Sequence, residues 1–229
     1  NGLKFAFKDY LNAKGEEITD FYEETIKGDF LDGIGSVRKI NVKEEYFNAI
    51  KDGLEFGDKR IKVVLDPGNG TTSIILKDLY SMFPIDFIII NGESDGTFPN
   101  HHPDPSIEAN LEQLKKKVLE TGADIGVSFD GDGDRVGVIT NEGKFLPCDY
   151  YMILIIRDII DKVKNKTFLY DVKCSKSLED EIIKLGGRPV CYRTGNSYTR
   201  SRVAELDMPF GGELSGHVYF RDRFLGFDS

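Results

Sequence analysis

The sequence predicts an α/β protein of two tandem domains, and three observations carry that prediction. The order strand, loop, helix, strand, helix, strand, loop, strand occurs twice along the chain. The two copies share almost no residues, so the repeat is one of architecture. With 229 residues, the chain has room for two domains of about 85–100 residues each and a short leading segment. Finally, glycine-rich loops crowded with polar side chains recur at equivalent places in both copies.

The elements follow in order. The leading NGLKFAFKDY reads as a strand, then a turn, then an amphipathic helix through ITDFYEETIKG with acids in its first turns. This stretch is too small for a core of its own, and Asn1 looks like an arbitrary start inside a longer fold. A helix over 42–53 leads onward. The first copy has a strand at 61–65, the loop DPGNGTTS, a helix, and a strand at 86–90. A helix over 106–121 follows, with Ile107, Leu111, Leu114 and Val118 on one face. Ala123, Ile125, Val127 and Phe129 then alternate as a strand, and Val136, Val138 and Ile139 mark another. The second copy has a strand at 167–170, the loop DVKCSKS, a helix at 178–185, a strand at 188–192 and a helix at 197–206. A short strand at 208–210 enters GGELSGH, and 218–220 leaves it. If the domains pack side by side, the equivalent loops face a common cleft.

Composition narrows the function classes. Hydrophobic residues make up 40% and charged residues 30%, which is a soluble globular balance. A net charge of -9 argues against nucleic acid or an anionic membrane as a partner. No apolar run approaches the ~20 residues of a membrane helix; the longest, 150–156, reads as a buried helix start. The N-terminus carries no signal peptide pattern. Cys148, Cys174 and Cys191 are an odd count without metal spacing. They read as reduced thiols, small core residues of a cytoplasmic protein.

The sharpest motif is FDGDGDRVGV, in which Asp130, Asp132 and Asp134 alternate with glycines and Arg135 follows. Two carboxylates ~4 Å apart repel by roughly 4 kcal/mol at an effective dielectric of 20. Glycines let the backbone aim several oxygens at one point. A hard divalent cation there, Mg2+, Mn2+ or Ca2+, turns repulsion into attraction. An acidic surface turn is the plain alternative, but the loop lies between two strands, where functional loops tend to sit. An EF-hand fails, because positions 6 and 12 would be Arg135 and Asn141. The neighbouring guanidinium suggests an anionic ligand shared with the cation, such as a phosphate.

Other loops are weaker signals. GGELSGH sets Glu213, Ser215 and His217 at alternate positions, an array suited to sugar hydroxyls, or else a glycine-rich turn. DVKCSKS places Lys173 past a strand end, where it suits phosphate or proton transfer, or is simply solvated. YRTGNSYTR puts Arg193, Gly195 and Asn196 before a helix that Asn196 or Ser197 can cap. DPGNGTTS lacks the lysine of a P-loop and reads as a tight turn. In FPNHHPDP, His101, His102 and Asp104 read as a proline-stiffened loop rather than a metal site.

Taken together, DGDGDR, DVKCS, an R-T-G-x-S loop and GELSGH, in that order, resemble the α-D-phosphohexomutases, specifically the bacterial phosphomannomutase/phosphoglucomutase branch. The likeness runs over essentially the whole chain. Related phosphoglucosamine mutases usually read DGDADR and GEQSGH, so both loops lean towards hexose. The resemblance implies tandem phosphohexomutase-type α/β domains, each a mixed sheet packed with helices. It assigns 1–43 to the end of a phosphoserine-bearing first domain, 44–147 to a second domain with the metal loop, and 148–229 to a third with the sugar loop. It further implies that a phosphoserine and a bisphosphorylated intermediate interconvert hexose 1- and 6-phosphates of mannose or glucose. Asp130, Asp132 and Asp134 would hold Mg2+. Arg135 would contact phosphate and help move a proton, and Lys173 would sit by the reacting hydroxyl. Glu213 and Ser215 would hold sugar hydroxyls, with Asn196 and Arg193 also facing substrate and His217 handling a proton.

Two departures stand out. The family's usual T-G-H-S loop has Asn196 in place of histidine, and asparagine does not titrate near neutrality. The family's T-A-S-H-N-P serine loop and its fourth domain are not in this sequence, so the chain is expected to be inactive alone. Two rivals remain: an aspartate-nucleophile phosphatase, suggested by Asp130-x-Asp132, and a non-catalytic metal-binding module. Neither accounts for GELSGH.

Overall fold

The structure is a computed structural model, and it describes residues 5–6, 13–52, 54–221 and 227–228. These fall into two compact units, Asn1–Leu54 and Glu55–Ser229. Most of the strand expected at the N-terminus lies outside the described residues.

The first unit holds α1 (Glu16–Lys27) and α2 (Lys43–Lys51). Glu16 and Glu17 stand in the first turn of α1 and Lys27 in its last, each complementing the helix dipole. Gly28 ends the helix in the left-handed conformation, at φ 69°. No residue of α1 is buried. Residues 29–41 form neither helix nor strand, and their side chains are exposed.

The second unit carries the repeat. Its first half runs β1 (Lys62–Asp66), a 3-10 turn (Thr71–Ile74), α3 (Leu76–Tyr80), β2 (Asp86–Ile89), a second 3-10 turn (Glu108–Leu111), α4 (Glu112–Thr121), β3 (Ile125–Phe129), β4 (Val136–Thr140) and β5 (Phe145–Leu146). Its second half runs α5 (Cys148–Ile159), β6 (Thr167–Asp171), α6 (Lys176–Lys184), β7 (Arg188–Tyr192), α7 (Asn196–Glu205), β8 (Phe210–Gly212), β9 (Val218–Phe220) and β10 (Phe227–Asp228). The first sheet has the order β2-β1-β3-β4-β5. The second, read from its other edge, is β7-β6-β8-β9-β10, the same topology. In each, the first three strands are parallel and the last two are added antiparallel. Both sheets are therefore mixed and packed with helices, as the sequence predicts.

The topology places the loops. DPGNG leaves the end of β1 as DVKC leaves the end of β6, and DGDGDR joins β3 to β4 as GGELSGH joins β8 to β9. Parallel strands deliver such loops to one edge of their sheet, the usual place for a site in open α/β folds.

Some expectations need correction. The helix over 106–121 is two pieces. Asp104 Oδ1 accepts the Ser106 N–H and hydroxyl, and the Asp104 carbonyl accepts the Asn110 amide. These bonds hold the start of the segment in a turn instead of helix. Leu111, Leu114 and Val118 are buried as expected, but Ile107 is 48% exposed. The apolar run at 150–156 is not buried throughout. Tyr151, Met152 and Ile156 face the core, while Tyr150 and Leu154 face solvent. All three cysteines are free, but only Cys148 is buried; Cys174 is half-buried and Cys191 exposed. No described helix is long and apolar enough to cross a membrane.

Candidate active site

The acidic loop is built around Asp130. Its side chain is buried, and Oδ1 accepts the backbone N–H groups of Gly133 (2.9 Å), Asp134 (2.9 Å) and Arg135 (3.1 Å). Oδ2 takes Arg135 Nε at 2.7 Å. One carboxylate thus ties the loop into a ring. Burial pushes its pKa up, the Asp134 charge adds to that, and the Arg135 hydrogen bond acts the other way. Burial disfavours the Arg135 charge, but the hydrogen bond and charge of Asp130 outweigh it and hold the guanidinium pKa above its ordinary value. Asp104 grips the other side of that guanidinium, Oδ1 to Nη1 at 3.0 Å. Burial acts against the Asp104 carboxylate, yet hydrogen bonds from Ser106 and the Arg135 charge bring its pKa below the usual range.

Asp132 is exposed and Asp134 half-buried, and each of the three aspartates has a potential ligand atom within 4.8 Å of the others. Among the described residues this is the one such group of three. All donors are hard oxygens on a loop fixed at both ends, so the set fits a divalent cation such as Mg2+. His101 and His102 are not in it. His101 Nε2 instead pairs with the buried Asp66 carboxylate at 3.1 Å.

DPGNG does more than turn the chain. Thr71 N donates to the Gly131 carbonyl at 3.0 Å. A Cβ on Gly70 would lie 2.9 Å from that same oxygen and 3.0 Å from the Asp130 carbonyl. The turn presses directly on the backbone of the acidic loop.

The GGELSGH loop is organised by two buried acids. Asp171, at the end of β6, accepts Thr194 Oγ1 at 2.6 Å and Leu214 N at 3.0 Å, joining three loops through one side chain. Glu213 is 2% exposed. Its Oε1 accepts Thr199 Oγ1 at 2.5 Å and Gly195 N at 3.1 Å. Ser215 Oγ lies 3.3 Å from Glu213 Oε2 and 3.1 Å from His217 Nδ1. His217 Nε2 then reaches Asp134 Oδ1 at 3.4 Å. The two expected loops therefore meet, and the structure brings Glu213, Ser215, His217 and the acidic triad into one cluster.

The remaining candidates are placed less closely. Lys173 is half exposed, with Nζ 3.8 Å from Asp171 Oδ2. The Arg193 guanidinium stacks on the Tyr198 ring, 3.9 Å from its centroid. Asn196 and Ser197 do not cap α7. The N-cap is Gly195, at φ 135°, and no side chain caps it; the Gly195 N–H goes to Glu213 instead. Burial drives the Cys148 pKa up to about 12 and raises that of Cys174 as well, which disfavours the thiolate at both.

Sequence reasoning missed Asp66 and Asp171. Each closes the first parallel strand of its sheet, and each is fully buried. The signal was present, since an aspartate directly follows the apolar strand in both copies. It read Asp104 only as part of a proline-stiffened loop and not as the partner of Arg135, 31 residues away, and it missed Thr199 and Tyr151.

Two family models match. Phosphoglucomutase/phosphomannomutase alpha/beta/alpha domain II covers residues 44–143, and domain III covers 147–229. The chain belongs to the phosphoglucomutase/phosphomannomutase family. A phosphomannomutase/phosphoglucomutase of Pseudomonas aeruginosa is 40% identical over 228 residues, which is 100% of this chain and 49% of that protein. A phosphoglucomutase of Neisseria meningitidis is 33% identical over 216 residues, 93% of this chain and 47% of that protein. A crystal structure of a family protein from Burkholderia thailandensis superposes with a TM-score of 0.90 at 34% identity, covering 95% of this chain and 47% of that one. The chain thus spans about half the length of the family relatives it matches.

Proposed function

We propose that this chain supplies the metal loop and the sugar loop of a cytoplasmic phosphohexomutase that interconverts the 1- and 6-phosphates of mannose and glucose. The serine that carries the phosphoryl group would lie on a part of the protein outside this sequence, so residues 1–229 alone would not turn over. The single observation that carries the reading is the 3.4 Å approach of His217 to Asp134, which brings the GGELSGH loop against the acidic loop.

In this reading Glu213 Oε2 and Ser215 hold adjacent sugar hydroxyls. Thr199 and Gly195 occupy Oε1, so the carboxylate presents a fixed edge to the sugar. The bond from phosphorus to serine breaks as one to the sugar hydroxyl forms. His217 takes the hydroxyl proton while the released serine oxygen gains one; in the return step the serine hydroxyl gives up its proton and the freed sugar oxygen receives the one on His217. Arg135, clamped by Asp130 and Asp104, directs its guanidinium at the transferring group, and Lys173 and Arg193 add positive charge nearby. Mg2+ held by Asp130, Asp132 and Asp134 would balance the charge of the transferring phosphoryl group.

An aspartate-nucleophile phosphatase fits less well. That reading leaves Glu213, Ser215 and His217, which lie against the acidic loop, without a role. The test is a coupled assay on the full-length protein, with glucose 1-phosphate and mannose 1-phosphate, a bisphosphate primer and Mg2+. Formation of the 6-phosphates supports the reading. Phosphate release without isomerisation, or no reaction, overturns it.

A further inference from the structure

We infer that Tyr151 is a positioning residue whose hydroxyl sets the register between the acidic loop and the GELSGH loop. It lies on α5, on neither loop, and nothing in its sequence context marks it.

The junction is a three-way contact. Val136, directly after Arg135, donates its N–H to the Gly216 carbonyl at 3.2 Å. The Tyr151 hydroxyl donates to the Val136 carbonyl at 3.0 Å and lies 3.4 Å from the Gly216 carbonyl. A phenol has one proton, so the shorter contact to Val136 is the main bond. Tyr151 is buried among Met152, Phe210 and Val218 of the second-half core, which fixes its ring. It therefore refers a strand of one sheet to the core of the other. Burial also raises the phenol pKa well above its ordinary value, so the group stays a donor.

Gly216 makes the approach possible. Its φ is 107°, and a Cβ there would lie 2.7 Å from the Val136 carbonyl oxygen. Both partners are backbone, so neither can swing away. The space left at the junction is a cavity of about 10 Å³, lined by Pro105, Ser106, Tyr151, Leu214, Ser215 and others. That is at most one water's worth, so the junction is closely packed.

The consequence is geometric. Candidate functional side chains adjoin both ends of the contact: Arg135 beside Val136, and Ser215 and His217 on either side of Gly216. A slip at the junction shifts all of them together, including the His217–Asp134 approach. Misplacement of about 1 Å can cost up to about 100-fold in rate.

The kinetic part of this inference rests on the mutase reading; the exchange part does not. The experiment uses the full-length protein with Tyr151→Phe, Gly216→Ala and the double variant. Amide hydrogen exchange at Val136 and mutase kinetics are read on each. For Tyr151→Phe, exchange at Val136 should rise at least about tenfold, and kcat should fall about tenfold with KM moved less than about twofold. A tyrosine that only stabilised the core would lower Tm and leave kcat unchanged well below it. Gly216→Ala should give the same pattern, and the double variant should lose less than the product of the two. Wild-type protection at Val136, or wild-type kcat in a folded Tyr151→Phe, overturns the inference. If Tyr151→Phe does not fold, Gly216→Ala decides by the same two readings. If the wild type has no mutase activity, the functional reading fails and the exchange result alone decides this one.

Discussion

Asp130 and Asp132 look alike in sequence but hold different things. Asp130 closes its own loop through three backbone N–H groups and Arg135. Asp132 is exposed on the loop's rim. Asp130→Asn keeps an acceptor but loses the charge facing Arg135, and should cost about 2 kcal/mol in urea unfolding without metal. Asp132→Asn should change that value by no more than about 0.5 kcal/mol, because it removes one of three crowded like charges. With Mg2+ at ~100 times its Kd, the wild type should gain about 2.7 kcal/mol, and chelator should remove the gain. Both variants should lose most of it. Equal apo stabilities for the two would refute the division of labour. His101 makes a different prediction. Its hydrogen bond to Asp66 raises its pKa, while burial works the other way. A raised folded-state value means the stability it contributes is fully present below about pH 6.5 and is lost as pH rises through that value. The deficit of His101→Gln relative to wild type should therefore be largest near pH ~5.5 and shrink by pH ~8.5. A deficit independent of pH would show that the pair is not ionic.

Elements, not single groups, carry the acidic loop into place. The turn after β1 supports it from behind, so Gly70 is a steric requirement. Its φ is an ordinary -76°. An added Cβ would meet three backbone oxygens at 2.9–3.0 Å, none of which can rotate away. Gly70→Ala should therefore cost about 1–3 kcal/mol and weaken Mg2+ binding, read by thermal melts with and without metal. Gly96→Ala, with nothing within 4 Å of the new Cβ, is the control and should be near neutral. Matching melts for the two would remove the buttress. These elements also show what the sequence could reveal. β7 and β9 were legible to the residue, because alternation and apolar runs are local signals. The acidic and GGELSGH loops were legible as motifs. The start of the 106–121 helix was not, because the Asp104 side chain competes for backbone donors that helix periodicity ignores. The α7 cap was misread because the N-cap position falls on Gly195, which has no side chain, one residue before Asn196. Tyr151 reaches Gly216 across 65 residues, and no local pattern reports such a contact.

The two units of the molecule are held together internally in different ways. The second has two five-stranded sheets of identical topology, each with buried apolar clusters. In the first, α1 buries none of its residues, and Leu31, Ile34 and Val37 are essentially fully exposed. Local opening costs least where few side chains are buried and the backbone is not in helix or strand. Residues 29–41 satisfy both conditions, and Lys27, Arg38 and Lys39 lie in or beside them. Limited trypsin digestion of the 229-residue chain should therefore cut first at these three positions. The fragment containing residues 62–221 should persist far longer, although exposed lysines and arginines are scattered over it, because its backbone is committed to the two sheets and their helices. Mass spectrometry of the early products decides this. Cuts within 62–221 that precede or accompany those at 27–39 would mean the repeat is not the stable body of the chain. The candidate site would then lie on a scaffold that opens as readily as the leading segment, which the loop-to-loop hydrogen bonds at Val136, Gly216 and Asp171 argue against.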